Sequence, residues 1–376
     1  MQVLEVDKIG SATSPLNLGK TVSVIPENLV PKAGDVVVVK ALTESVTYGN
    51  LELPSGRLAK INRNDVLLGV LGKRRALKGF FGDVPESVKV GDKLHLLNMG
   101  GVIGVCSGHH SSLSDAIEVE VLGIVCDAGT QGRGDTEIVS PTSEHFDSNS
   151  KIQPHIPASR IRNIADNALK PSNFLNPSAP IVIIAGTCMN SGKTVAATEI
   201  VKQANHAGLR VAGAKMSGIA ALRDTLNMQD CGAFATASFL DCGLPSTVGI
   251  ENLAPIAKAI LNKLNELEPD LIVVELGDGI VGGYSVDSIL LDEEIKSATS
   301  SFVFCASDYV GVIGGIEVLK QFGITIDVIA GSVTDSQAGE DFIVQNFSIK
   351  AGNARRNGLG LFEMLNFTNQ LELALA

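Results

Sequence analysis

IVIIAGTCMNSGKTVAATEI, residues 181–200, decides the fold. Its first five residues are all apolar, with none of the polar alternation of a half-exposed strand, so they predict a strand buried on both faces of a parallel sheet. A glycine-bearing turn follows, and a helical pattern starts at Gly192-Lys193-Thr194. Strand, turn and helix in this order form a cradle for phosphate. Successive backbone N–H groups and the positive end of the helix dipole converge on one anion. The common phosphate loop has four residues between its first glycine and the Gly-Lys pair. Here Gly186 and Gly192 enclose five.

The pattern repeats downstream. Strand-like RVAGAK (210–215), DLIVVE (270–275), SFVFCA (301–306) and ITIDVIAG (324–331) alternate with helix-like 251–267, 285–298 and 309–323. Such alternation predicts a doubly wound parallel α/β sheet of the P-loop kind over residues 180–376. Upstream, residues 1–128 read differently. DVVVVKAL (35–42), VLLGVLG (66–72) and AIEVEVLGIVC (116–126) are short, β-branched and cut by turn residues. They predict a smaller all-β domain, a barrel or a sandwich. Residues 129–179, rich in Ser, Asp, Gly and Pro, are expected to be a polar linker with a short helix over 158–170.

Composition narrows the function. The formal net charge of −11 opposes binding to nucleic acid, which relies on Lys and Arg against phosphate. Six cysteines without a C-x-x-C pair suit reduced thiols. The N-terminal residues lack a basic-then-apolar leader and no apolar run is long enough to span a bilayer. The expectation is a cytoplasmic chain with no membrane partner.

Gly186, Thr187, Asn190, Ser191, Gly192, Lys193 and Thr194 are the candidate phosphate-holding residues. Lys193 would reach the β/γ-phosphate oxygens and the Thr194 hydroxyl would bind Mg²⁺. The plainer alternative is a tight βα turn with a solvated lysine, but Gly-Lys-Thr falls at the strand-to-helix junction. Cys188 reads as a small buried hydrophobe, and Asp278 as either a site carboxylate or an Asp-Gly turn residue. In CSGHHSSLSD (106–115), Cys106, His109, His110 and Asp115 are close in sequence. Without a second ligand pair they read as an exposed loop rather than a metal site.

GTCMNSGKT has the form G-T-x-x-x-x-G-K-T and resembles the loop of dethiobiotin synthetase and related P-loop proteins. GLRVAGAKMSG, ALRDTLNMQD and LIVVELGDG resemble later segments of that family. By that resemblance Lys215 lies beside the transferring phosphate, Asp224 binds magnesium, and Glu275 belongs to the metal and substrate shell. The added β domain makes the whole similar to poorly characterised members of the group. The family's adenine-reading asparagine is replaced here by Gly331 and Ser332.

The resemblance implies an ATP- or GTP-dependent, Mg²⁺-dependent ligase or kinase that activates a small carboxylate, carbamate or amine substrate. Lys193, Lys215 and Glu275 would be catalytic, and Thr194, Asp224 and Glu275 would hold the metal. A homo-oligomer is left open. Two alternatives stand beside this one. The first is an acyltransferase whose loop grips the phosphates of coenzyme A, and the second is a nucleotide-binding switch or assembly factor.

Overall fold

The computed structural model describes residues 1–26, 28–127 and 161–366. Of the expected linker over 129–179, residues 129–160 lie outside the described residues. Where a short helix is expected over 158–170, residues 161–170 form isolated bridges and a turn.

The N-terminal strands are β1 (Gln2–Glu5), β2 (Lys8–Ile9), β3 (Thr21–Ile25), β4 (Val36–Ala41), β5 (Asn50–Glu52), β6 (Leu58–Lys60), β7 (Val66–Leu71), β8 (Arg74–Arg75), β9 (Phe80–Asp83), β10 (Lys93–Leu96), β11 (Val102–His109) and β12 (Glu118–Val125). β12, β4, β7 and β11 pair in that order, and β10 pairs with both β11 and β12. The ring therefore closes into a small five-stranded barrel, the first of the two expected architectures. Closure hides the strand edges. Val37, Val39, Leu67, Leu71, Ile103, Val119 and Val121 fill its apolar interior, which accounts for the β-branched composition of these segments.

The second half follows as β13 (Ile181–Gly186), α1 (Lys193–His206), β14 (Val211–Ser217), α2 (Arg223–Asp230), β15 (Ala235–Ser238), α3 (Ala254–Asn265), β16 (Leu271–Leu276), α4 (Val286–Leu290), α5 (Glu293–Ala298), β17 (Thr299–Cys305), α6 (Tyr309–Gln321), β18 (Val328–Ala330), α7 (Gln337–Phe347), β19 (Lys350–Ala351) and α8 (Gly358–Glu363). All seven strands run parallel in the order β15-β14-β16-β13-β17-β18-β19. The helix expected over 285–298 is two helices. Asp292 breaks it by capping α5, its side chain accepting from Ile295 N at 3.1 Å.

β13 sits between β16 and β17, so the chain leaves it to one side for β14 and returns to the other for β17. Ligands in such sheets bind beyond the carboxyl ends of strands at this switch point. The two halves share one core, in which Val36, Val38, Leu68 and Val70 of the barrel cluster with Ile181 and Ile183 of β13. Polar contacts fix the docking. Asn98 Nδ2 donates to Ala220 O at 2.8 Å, and Leu222 N donates to the buried Glu52 carboxylate at 2.7 Å. Among the described residues no helix is long and apolar enough to cross a membrane.

Candidate functional site

The loop between β13 and α1 has little freedom. A Cβ on Gly186 would lie 2.5 Å from Ser191 Oγ and 2.6 Å from Cys305 O. Asn190 and Gly192 adopt left-handed backbone, φ 63° and 103°. The extra residue is absorbed in this way, and the turn still reaches α1. Among the described residues, no protein acceptor takes the backbone N–H groups of residues 189–194. Grouped unpaired amides at a helix N-terminus form an anion cradle. On its far side the loop rests on Gly331, where Ser332 N donates to Ser191 O at 3.2 Å.

Lys193 is buried and folds back over the loop, donating to Cys188 O at 2.7 Å and to Ser191 Oγ at 3.5 Å. Burial, followed by repulsion from Lys215, holds its ammonium below the usual lysine range. An anion in the cradle would relieve both.

The sheet register brings the remaining residues to the loop. Lys215 of β14 lies directly opposite Glu275 of β16, and Glu275 in turn opposite Ile184 of β13. Thr194 Oγ1 donates to Glu275 Oε1 at 2.9 Å. Lys215 Nζ contacts Glu275 Oε1 at 2.8 Å and Asp224 Oδ2 at 2.6 Å. Burial alone would lower the Lys215 pKa, but the two carboxylates more than reverse this and hold it above the usual range. The same exchange runs the other way at Asp224, whose burial is outweighed by Lys215, so its carboxyl sits below the usual range. Asp224 lies in the first turn of α2 and is not its cap, which is Leu222.

Glu275 is 1% exposed, and its Oε2 atom has no hydrogen-bond partner. Asp278 stands three residues on, at φ 65°, in a loop where a Cβ on Gly279 would lie 2.3 Å from Thr187 O. Burial raises its carboxyl above the usual range. Lys193, Thr194, Lys215, Asp224, Glu275 and Asp278 together line one cleft of about 750 Å³.

Of the expected loop residues, Asn190, Gly192, Lys193 and Thr194 line this cleft with Lys215, Asp224 and Glu275, whereas Gly186 and Ser191 do not and Thr187 lines a neighbouring cleft. Several lining residues were absent from the sequence expectations, among them Arg223, Tyr284, Arg355 and, from the barrel half, Arg74 of β8. The sequence KRRALKG gives no local signal for it, because its place depends on how barrel and sheet dock. The stretch 106–115, expected as an exposed loop, is in part strand: Cys106 to His109 belong to β11, and a turn follows; His109 pairs with Asp115 at 3.1 Å and His110 with Ser112 at 2.8 Å.

No family model and no curated protein matches this chain. Among solved structures it is similar to chloroplast FtsY from Physcomitrella patens, at 15% identity over 53% of this chain and 70% of that one, with a TM-score of 0.35. It is also similar to the 54 kDa signal recognition particle protein of Aeropyrum pernix K1 in complex with GDP, at 18% identity, 53% and 50% coverage and a TM-score of 0.35. A DUF1611 family protein from Anabaena variabilis matches at 13% identity, 52% and 62% coverage and a TM-score of 0.37.

None of the three is a dethiobiotin synthetase, and the expected kinship with that family is corrected. The site gives a physical reason. At the end of β18, where the family places its adenine-reading asparagine, a Cβ on Gly331 would lie 2.2 Å from Ser191 O. No side chain fits there. The ATP-dependent ligase or kinase, and the small-molecule substrate it required, are set aside with that kinship.

Proposed function

We propose that this chain is a nucleotide-binding switch, with GTP and Mg²⁺ as its ligands and the barrel as the part that responds. The loop amides and Lys193 hold the phosphates. The residues around them suit a hard, oxygen-seeking cation. Thr194 gives its proton to Glu275 and keeps its oxygen lone pairs free, while Glu275 Oε2 is a buried acceptor with no partner. Mg²⁺, when bound, would supply charge neutralisation at the β- and γ-phosphates.

One observation carries the switch reading. Lys215 ties together two carboxylates, and each sits on a segment anchored to the barrel. Asp224 belongs to α2, whose start is held by Glu52 of β5. Glu275 leads into the 277–284 loop, whose Tyr284 hydroxyl accepts from Arg75 N of β8 at 3.1 Å. With Mg²⁺ held by Thr194 and Glu275, Lys215 would lose part of its pairing with Glu275 and would turn toward phosphate oxygens or Asp224 alone. The equilibrium between these two arrangements is what a nucleotide would bias.

The test is hydrogen exchange on the full chain with GTP·Mg²⁺, with GDP·Mg²⁺ and without nucleotide. Protection at residues 50–53 and 74–76 is expected to differ between the GTP and GDP forms. Identical protection in both, with both nucleotides bound, contradicts the switch.

A further inference from the structure

The structure assigns an anion-binding role to Arg74: with Lys193 it forms a subsite in the inter-domain cleft for a phosphate-type anion. The inference deepens the nucleotide-switch reading by naming a contact from the barrel half.

Its basis is an imbalance of charge. Among the described residues, three cationic side chains are buried: Arg74, Lys193 and Lys258. Lys258 meets two acids, Asp292 at 2.9 Å and Glu294 at 2.5 Å. Arg74 and Lys193 form no ion pair with any described carboxylate, yet both line the same cleft. In a chain of net charge −11, two buried cations without acids are a local departure from the whole. Isolated buried charge is costly unless something compensates it.

Arg74 is 3% exposed. One terminal nitrogen donates to Leu97 O, the other donates to the Tyr48 hydroxyl at 3.1 Å, and Nε has no partner. The guanidinium lies over the Tyr48 ring at 5.1 Å and the Phe80 ring at 5.8 Å, which fix its plane. It is thus a rigid fork with donors to spare, the form suited to phosphate oxygens. Asp278, in the same cleft, makes no ion pair with either cation among the described residues.

The anion has two possible sources, the terminal phosphate of a nucleotide in the loop or a separate small anion. Calorimetry of GTP and GDP with Mg²⁺ on the full wild-type chain, Arg74→Gln and Arg74→Lys distinguishes them. If the source is the nucleotide, Arg74→Gln lowers GTP affinity by about tenfold or more and leaves GDP within about twofold. Arg74→Lys, which keeps the charge without the fork, falls between. If the source is a separate anion, neither nucleotide is affected. Inorganic phosphate then raises the melting midpoint of the GDP-saturated wild type and not that of Arg74→Gln.

GTP, GDP and phosphate responses equal to wild type in both variants overturn the inference. If Arg74→Gln does not fold, Arg74→Lys carries the comparison, and its equality with wild type is the overturning result. A wild type that binds neither nucleotide defeats the switch reading instead. Phosphate added to the nucleotide-free wild type and to Arg74→Lys still decides the subsite in that case, because equal melting shifts overturn it.

Discussion

Lys215 and Glu275 face one another in register across β14 and β16, and their side chains meet at 2.8 Å with Thr194 on the same carboxylate oxygen. The adjoining strands thus set a counter-ion beside the place where the phosphate loop begins its helix.

Removing that counter-ion by Lys215→Met should be costly. Glu275 is nearly fully buried and would lose its cation, at a cost of about 3 kcal/mol. Denaturant unfolding without divalent ions measures it. Mg²⁺ should restore more stability to the variant than to wild type, because two carboxylates are then left without a lysine. An equal Mg²⁺ response in both proteins counts against a metal position at Glu275.

The pKa directions at the site fix two pH dependences. Asp224 is held below its unfolded value, so its contribution is complete above about pH 4 and lost as pH falls through the lower folded value. Asp224→Asn should flatten that acid limb of the stability curve. Lys193 is depressed, so the nucleotide-free protein holds its proton less firmly than the unfolded chain does. Between its lowered value and about pH 10.4, phosphate binding should take up protons. Calorimetry in buffers of different ionisation enthalpy at alkaline pH reads this uptake. Proton release on binding would contradict it.

Gly331→Ala tests the back of the loop. The glycine has φ 92°, and the added Cβ would meet Ser191 O at 2.2 Å. The loop must shift, and nucleotide affinity should fall by about tenfold or more while stability drops by about 1–3 kcal/mol. Affinity unchanged from wild type would show that this contact does not shape the cradle.

Tyr284→Phe removes the hydroxyl that accepts from Arg75 N and touches no expected phosphate ligand. GTP affinity should stay within about threefold of wild type, since a neutral hydrogen bond contributes about 1 kcal/mol. The GTP-dependent change in exchange at residues 74–76 should shrink. A full response in Tyr284→Phe would place the coupling elsewhere, with Glu52 and Leu222 the remaining connection.

Much of this was legible in the chain itself. IVIIA and LIVVE announce buried parallel strands by unbroken apolar runs, and both are observed. Gly-Lys-Thr at a strand-to-helix junction marks the cradle, because phosphate binding needs local backbone geometry. Glu275 stands out as a charge ending an apolar strand. What could not be read depends on distant packing. Arg74 matters through the docking of β8 against the 277–284 loop, and nothing within several residues of it signals that contact. Gly331 stands out in the sequence only as a departure from the resembled family, and its close approach to Ser191 does not show there. The β15 and β19 segments are short and lack the apolar runs that mark their neighbours.

The central claim is that the 186–194 loop binds a nucleotide phosphate, and one measurement meets it directly. GTP·Mg²⁺ is titrated calorimetrically into the full wild-type chain and into Lys193→Ala, with folding of both checked by thermal melting. Wild type should show saturable one-to-one binding, and the folded variant should lose it. No binding by wild type, or equal binding by Lys193→Ala, would contradict it.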